Sequence, residues 1–332
     1  MNNKVNIFLR NPNKLGNFSV EIFYSELYKV LNKHIEVNLI RVPFRSSGIV
    51  PRIFNVLFCF FKQSDINHVV GDISYCSLLM KKSKLVVTIL DCIVLHRNNG
   101  LKKKILEYML YRIPIYKASK IVAISESTKN DLNFFLNLEI PHCSIIPVTI
   151  SKSFFNKKLT LIKKDFKHNI LMIGTAPNKN IERAAKALEG IEAKLTIIGK
   201  LNNSQKKQLE KSKINFKEID YPLSENEIIN KYLDSDILLF PSTLEGFGMP
   251  IIEANVLKVC VITSNISSMP YVAGDSALLV NPYRVSEIKK AINNISKNPE
   301  IRQSLLEKGK KNSSRFNIKT IANQHISLYR SM

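Results

Sequence analysis

The sequence predicts an α/β protein of two doubly wound domains, and three observations carry that prediction. Apolar runs of strand length alternate with helical patterns through most of the 332 residues. Those runs are rich in β-branched residues and continuous rather than alternating, as in parallel strands buried on both faces. A second series of the same kind starts at residue 168, after a polar, lysine-rich stretch at 149–167. Alternating strands and helices specify parallel sheets with helical crossovers, and the interruption specifies two of them.

The first series opens on the strand "VNIFL" (5–9). "SVEIFYSELYKVLNK" (19–33) is a helix, because Val20, Phe23, Tyr24, Leu27 and Leu31 fall on one face at helical spacing. Strands follow at "IEVNLIRV", "INHVVGD" and "KLVVTIL". A long helical pattern, "KKKILEYMLYRIPIYKAS", leads into the strand "KIVAIS" (120–125), the helix "ESTKNDLNFFLN" and the strand "CSIIPV" (143–148). The second series runs "HNILMIG" (168–174), "NIERAAKALEGI", "AKLTIIGK", "SQKKQLEKS", "NFKEID", "SENEIINKYLDS" and "DILLFPS". After a glycine-containing loop come "VCVITSN" and "ALLVNP", and the chain closes on helices. The expected domains are 1–155 and 156–315, followed by a terminal helix at 316–332.

Composition narrows the function less than the pattern does. Lys and Arg total 49 against 27 Asp and Glu, a net charge of +22. That excess attracts polyanions, whether nucleic acid, anionic membrane or phosphorylated substrates, and a solvated basic surface accounts for it as well. No nucleic-acid motif is recognisable, so no specific nucleic-acid partner is expected. The five cysteines are scattered, odd in number and never in CxxC spacing, which suits a reducing cytosol and argues against a zinc site. The six histidines form no HxxxH or HExxH pair. The apolar stretch within "MNNKVNIFLRNPNK" is short for a secretory leader. The longest apolar run, "VLFCFF" (56–61), is far below the roughly 20 residues of a membrane span. A cytoplasmic chain is expected, soluble or peripheral on the inner face of the membrane.

"PSTLEGFGMPIIEAN" (241–255) carries the chemistry. A strand, "DILLFPS", runs into the loop "TLEGFGM" and a helix beginning near Pro250, whose missing N–H is harmless in a first helical turn. Glycines let backbone approach a ligand closely. The amides of Gly246, Phe247, Gly248 and Met249 at a helix start, backed by its dipole, make an anion site. The site lies at the carboxyl end of a strand, where open α/β sheets bind ligands. Glu245 and Glu253 offer bidentate acceptors for vicinal hydroxyls. A diphosphate flanked by two hydroxylated rings, a nucleotide-sugar, fits this arrangement. The competing reading makes Glu253, at the third helical position, a capping-box residue.

"FPSTLEGFGMPIIEAN" resembles the E-x7-E signature of family 4 glycosyltransferases, which have the GT-B fold: two Rossmann-like doubly wound domains facing an interdomain cleft. "VITSNISSMPYVAGDSALLVNP" (261–282) and "MIGTAPNKNIERAAKAL" (172–188) resemble the C-terminal domain of that family. "RFNIKTIANQHISLYRS" resembles its last helix, and "TILDC" (88–92) and "IVAISESTKNDL" its N-terminal T-x-H-D and V-S-E segments. The resemblance implies a retaining hexosyltransferase needing no metal or cofactor, with a UDP- or GDP-linked sugar as donor and a glycan or lipid-linked glycan as acceptor. It implies that Glu245 holds the donor sugar and Glu253 the ribose. Gly246 to Met249, with Gly174 and Gly16, then supply backbone near the sugar and phosphates, and Lys179 neutralises the leaving diphosphate.

The departures from the family pattern set the alternatives. Leu90 replaces the family His, and Thr175 and Asn178 stand where an Arg is frequent. These motivate the rival reading of an inactive, sugar-nucleotide-binding partner subunit. Asp91 either orients or deprotonates an acceptor hydroxyl, or caps the next loop. His96 substitutes for the lost His or is a surface residue. Ser125 caps a helix or lines the acceptor site. "IVPRIFNVLFCFFKQ" (49–63) is a buried helix of the first domain, or, with the basic segment 97–117, a rim that docks on anionic lipid.

Overall fold

The computed structural model describes residues 3–11, 19–140, 142–157 and 166–332, so Gly16 lies outside the described residues. The chain forms two units, residues 1–149 with 317–332 and residues 150–316.

The first unit is built on a six-stranded sheet in the order β2-β1-β3-β4-β5-β6. The strands are β1 Val5–Leu9, β2 Val37–Arg41, β3 Ile66–Val70, β4 Leu85–Ile89, β5 Lys120–Ala123 and β6 Cys143–Ile145. Every neighbouring pair is parallel. β1, β3 and β4 are buried along their whole length, which is why their sequences show no polar alternation. The strand order reverses between β1 and β3.

The second unit repeats the plan in the order β12-β11-β10-β7-β8-β9, again all parallel. Its strands are β7 Asn169–Ile173, β8 Lys194–Ile198, β9 Asn215–Ile219, β10 Ile237–Phe240, β11 Cys260–Ser264 and β12 Ala277–Val280. Ile170, Leu239 and Ile262 from the sheet pack with Ala184, Leu188, Ile288 and Ile292 from the flanking helices. Cys260 is one of the small residues of this core. Here the order reverses between β7 and β10.

The terminal helix Ile318–Arg330 packs on α1, Ser19–Leu31, within the first unit. It joins a buried polar group on the sheet. His68 of β3 is hydrogen-bonded through Nδ1 to the Tyr329 hydroxyl (2.7 Å) and through Nε2 to Thr88 Oγ1 (2.6 Å). His325 lies against both rings.

Three local expectations change. The long helix predicted over 102–119 is three segments, Gly100–Glu107, a π-turn Tyr108–Arg112 and Ile113–Lys117. The polar stretch 149–167 contains a short helix, Lys152–Asn156, whose Phe154 is buried edge-on to Tyr232 with ring centres 6.2 Å apart. The helix in 49–63 forms as α2, Ile49–Phe61, and of its two readings the buried helix does not hold. Only Asn55, Val56 and Cys59 are buried, and its apolar stripe is exposed.

Candidate active site

The site of the second unit sits where its strand order reverses, at the carboxyl ends of β7 and β10. β10 ends at Phe240, and the chain crosses residues 241–248 before entering the helix Met249–Val256. Gly248 caps this helix at φ 111°, a conformation that an L side chain rarely adopts, and a Cβ there would stand 3.3 Å from Ile251 Cδ1. Pro250 takes the second helical position, as expected.

The loop is stitched to the turn after β7, Pro177–Lys179, by two hydrogen bonds. Thr243 N donates to Asn178 O (2.8 Å), and Asn178 Nδ2 donates to Leu244 O (2.8 Å). It is pinned from the other side by the residues after β11. Ser267 Oγ donates to Glu245 O (2.8 Å), and Ser268 Oγ donates to Glu245 O (3.0 Å) and Phe247 O (2.6 Å). The Phe247 ring is buried, edge-on to Phe316.

Held this way, Glu245 Oε1 accepts from Lys179 Nζ at 2.7 Å and from Asn178 Nδ2 at 3.2 Å. The two charged side chains retain only 18% and 13% of their exposure, so Lys179 is not a solvated surface lysine. Its ammonium lies 4.7 Å from the centre of the Phe240 ring. Its stem crosses Gly174, where a Cβ would come within 2.8 Å of Lys179 Cε. Gly174 thus serves the lysine by lacking a side chain. Asn180, buried and left-handed, ties the turn to the strand ends through Nδ2 bonds to Pro241 O (3.0 Å) and Pro282 O (2.7 Å).

Glu253 is the fifth residue of its helix, not the third, so the capping-box reading is wrong. Its Oε2 instead accepts from the hydroxyl of Tyr232 at 2.5 Å, and the same hydroxyl reaches Pro250 O at 3.3 Å. Burial raises the Glu253 carboxyl to about 7, against the opposing hydrogen bond from Tyr232. Glu225 adds to the rise, and the charge of Lys179 opposes it. The carboxyl is therefore partly protonated near neutrality.

Asp91 belongs to the first unit, at the carboxyl end of β4. Its Oδ1 accepts from Ile93 N (2.9 Å), the capping contact that was one of its two readings. Ser125 accepts from Thr128 N (3.1 Å) and so caps its helix. His96 is exposed and contacts Asp131 at 3.2 Å. Leu90 packs where a Cβ on Gly71 would stand, 2.7 Å from its Cδ1.

A D-x-D motif, expected to be absent, is present at Asp234, Ser235 and Asp236. It lies at the amino end of β10, away from Glu245. Asp236 Oδ2 accepts from the amides of Lys167 and Asn169, and Asp234 pairs with Lys231 at 3.9 Å. The triplet is thereby assigned to tying the strand's entrance.

Sequence reasoning also missed Tyr232, Ser267 and Ser268, which place the two glutamates. The serine pair stands within the quoted C-terminal motif, a signal available in principle. Tyr232 lies 21 residues from its partner, and nothing local marks it.

The sequence model of the family described as Glycosyl transferases group 1 matches residues 155–312, so this part of the chain is a domain of that family. The O-antigen chain mannosyltransferase RfbU of Salmonella typhimurium is 26% identical over 224 residues, 64% of this chain. The match spans 61% of that protein's length. Sucrose-phosphate synthase from Thermosynechococcus elongatus has a similar structure, with a TM-score of 0.80 at 15% identity over 99% of this chain and 98% of that one. A glycosyltransferase from Rickettsia africae aligns over 99% and 98% of the two chains, with a TM-score of 0.74 at 17% identity. Residues 155–312 thus carry a group 1 glycosyl transferase domain, and the chain as a whole has the GT-B fold.

Proposed function

We propose that the chain is a family 4-like, retaining, metal-independent hexosyltransferase. Its donor is a UDP- or GDP-linked sugar, and its acceptor is a glycan or lipid-linked glycan. The observation that carries this reading is the Lys179–Glu245 pair at the switch point of the second sheet, with Glu253 beside it. The Salmonella relative's name, an O-antigen chain mannosyltransferase, supports sugar transfer in polysaccharide biosynthesis.

In this reading the ribose diol binds Glu253, the sugar hydroxyls bind Glu245, and the diphosphate lies at the start of the helix Met249–Val256. Lys179 exchanges its carboxylate partner for the diphosphate. When the bond from anomeric carbon to phosphate oxygen breaks, the ring gains positive character and the diphosphate gains negative charge. Glu245 stabilises the first, and Lys179 with the backbone amides of residues 246–249 stabilises the second. The acceptor hydroxyl attacks the same face, its oxygen bonding to the anomeric carbon while its proton passes to the departing phosphate. Asp91 orients that hydroxyl. The reaction takes place on the cytoplasmic side, with the enzyme peripheral on an anionic membrane.

A thermal-shift panel of UDP-, GDP-, ADP- and dTDP-sugars tests donor binding. A ligand at 100 times its Kd stabilises by about 2.7 kcal/mol. No shift with any of them would contradict the reading.

A further inference from the structure

One helix of the first unit is turned the wrong way round for a protein in water. Along α2, Ile49, Ile53, Phe54, Leu57, Phe60 and Phe61 form a single stripe at helical spacing, and all are exposed, Ile49 by 74% and Phe61 by 78%. The opposite face meets the core and carries Asn55, with no exposed surface. Asn55 is fully provided for: Oδ1 accepts from Phe44 N, and Nδ2 donates to Phe44 O and the Tyr75 hydroxyl. The orientation of the helix is therefore fixed by its buried amide, and the phenylalanines are held outward. A surface helix ordinarily shows the reverse arrangement, and an exposed apolar face of this extent marks a binding surface.

We infer that α2 is the membrane-binding element of this protein, lying in the plane of an anionic lipid surface with its aromatic stripe among the acyl chains. Charge selects lipid over a protein partner. From Arg41 to Lys117 the chain has 13 basic residues against 4 acidic ones. Gln63 Oε1 accepts from the Lys81 amide at 3.0 Å, which brings Lys81 and Lys82 to the C-terminal end of α2, with Lys84 paired to Asp65 at 3.7 Å. Lys82 lies over the exposed Tyr116 ring at 4.7 Å, and Lys117 is anchored to Leu78 O beside the exposed Leu79. Lysines around an apolar stripe match a phosphate-bearing surface, with aromatic side chains below the headgroups and ammonium groups among them. Protein–protein interfaces are instead depleted in lysine. The inference deepens the proposed reading of a membrane-borne acceptor, but its test uses no acceptor, so the two fail separately.

The test is flotation of the full chain with vesicles of phosphatidylglycerol and phosphatidylcholine, and with phosphatidylcholine alone, at low salt. The native chain floats with the anionic vesicles, and about tenfold less with neutral ones. Phe54→Ser with Phe61→Ser lowers binding at least tenfold, with the melting temperature and the turnover of a water-soluble acceptor unchanged. Lys81→Gln with Lys82→Gln lowers it less, and most at low salt. Undiminished flotation of the phenylalanine variant overturns the inference, as does failure of the native chain to bind either vesicle. So does a dimer in sedimentation that the phenylalanine substitutions dissociate, since the stripe would then belong to a second copy. If the native chain floats but no lipid-linked acceptor is glycosylated, the acceptor reading fails and the membrane surface stands.

Discussion

Replacing Glu253 with Gln should make the ligand-free protein more stable at pH 8, although it damages the site. Burial raises the Glu253 carboxyl to about 7 from the ordinary 4.5. The folded chain therefore holds a proton between those values that the unfolded chain has released. Stability from this group is present below 4.5 and is lost as pH rises through 7. At 1.36 kcal/mol per unit, the loss is about 3 kcal/mol. Glu253→Gln keeps the shape and cannot ionise, so it lacks this slope. Thermal melts of both proteins, from pH 5 to 8 without ligand, should diverge by roughly 6–12 °C, taking 2–4 °C per kcal/mol for a domain of this size. Parallel curves would refute the reasoning. Donor affinity should move the other way, tightening in the native chain as pH rises through 7, because the ionised carboxylate accepts from both ribose hydroxyls. Tyr232→Phe removes the hydrogen bond that holds the carboxyl down, so the midpoint of that affinity profile should shift upward.

Gly174→Ala places a methyl group 2.8 Å from Lys179 Cε at a backbone angle of +86°, so turnover should fall at least tenfold, from displaced lysine, with a modest loss of melting temperature; unchanged turnover would show that the lysine stem has room to move. His325 is buried in the first unit, and burial lowers its imidazole to about 4. The unfolded chain binds the proton first, so stability should fall by about 3 kcal/mol as pH drops from 6.5 through 4; unfolding of His325→Leu should show a shallower acid slope, and an equal slope would count against this assignment. Ser268→Ala removes the donor to Phe247 O and Glu245 O and should cost about 1–3 kcal/mol and weaken donor binding, which calorimetry with the donor would show. Turnover should persist in chelator, and loss restored by magnesium or manganese would contradict the metal-independent reading.

The strands were legible because fully buried parallel strands leave unbroken β-branched runs, as in "KLVVTIL" and "VCVITSN". The strand–glycine loop–helix around Glu245 was legible for a similar reason: Gly248 and Pro250 each answer a local backbone requirement. What was not legible depends on contacts far apart in sequence. Lys179 and Glu245 are 66 positions apart, and their pairing follows from β7 lying beside β10. The period of α2 shows that the helix has an apolar side but not that this side faces outward. Asn55, on the other face, decides that only once Phe44 and Tyr75 are seen to satisfy it. The helix begins at Met249, so Glu253 is its fifth residue rather than its third, which removes it from the cap and gives it to Tyr232.

The central claim is that Lys179 meets the charge that grows on the leaving diphosphate. Initial rates of sugar transfer by Lys179→Ala test it most directly, with donor affinity measured alongside and folding checked by melting, since Glu245 loses its partner. Loss of one such donor costs roughly 2.7–4 kcal/mol in the transition state. Turnover should therefore fall about 100- to 1,000-fold while donor affinity changes less, and Lys179→Arg should recover part of the loss. A folded Lys179→Ala protein with near-native turnover would contradict the account and leave the Lys179–Glu245 pair a purely structural contact.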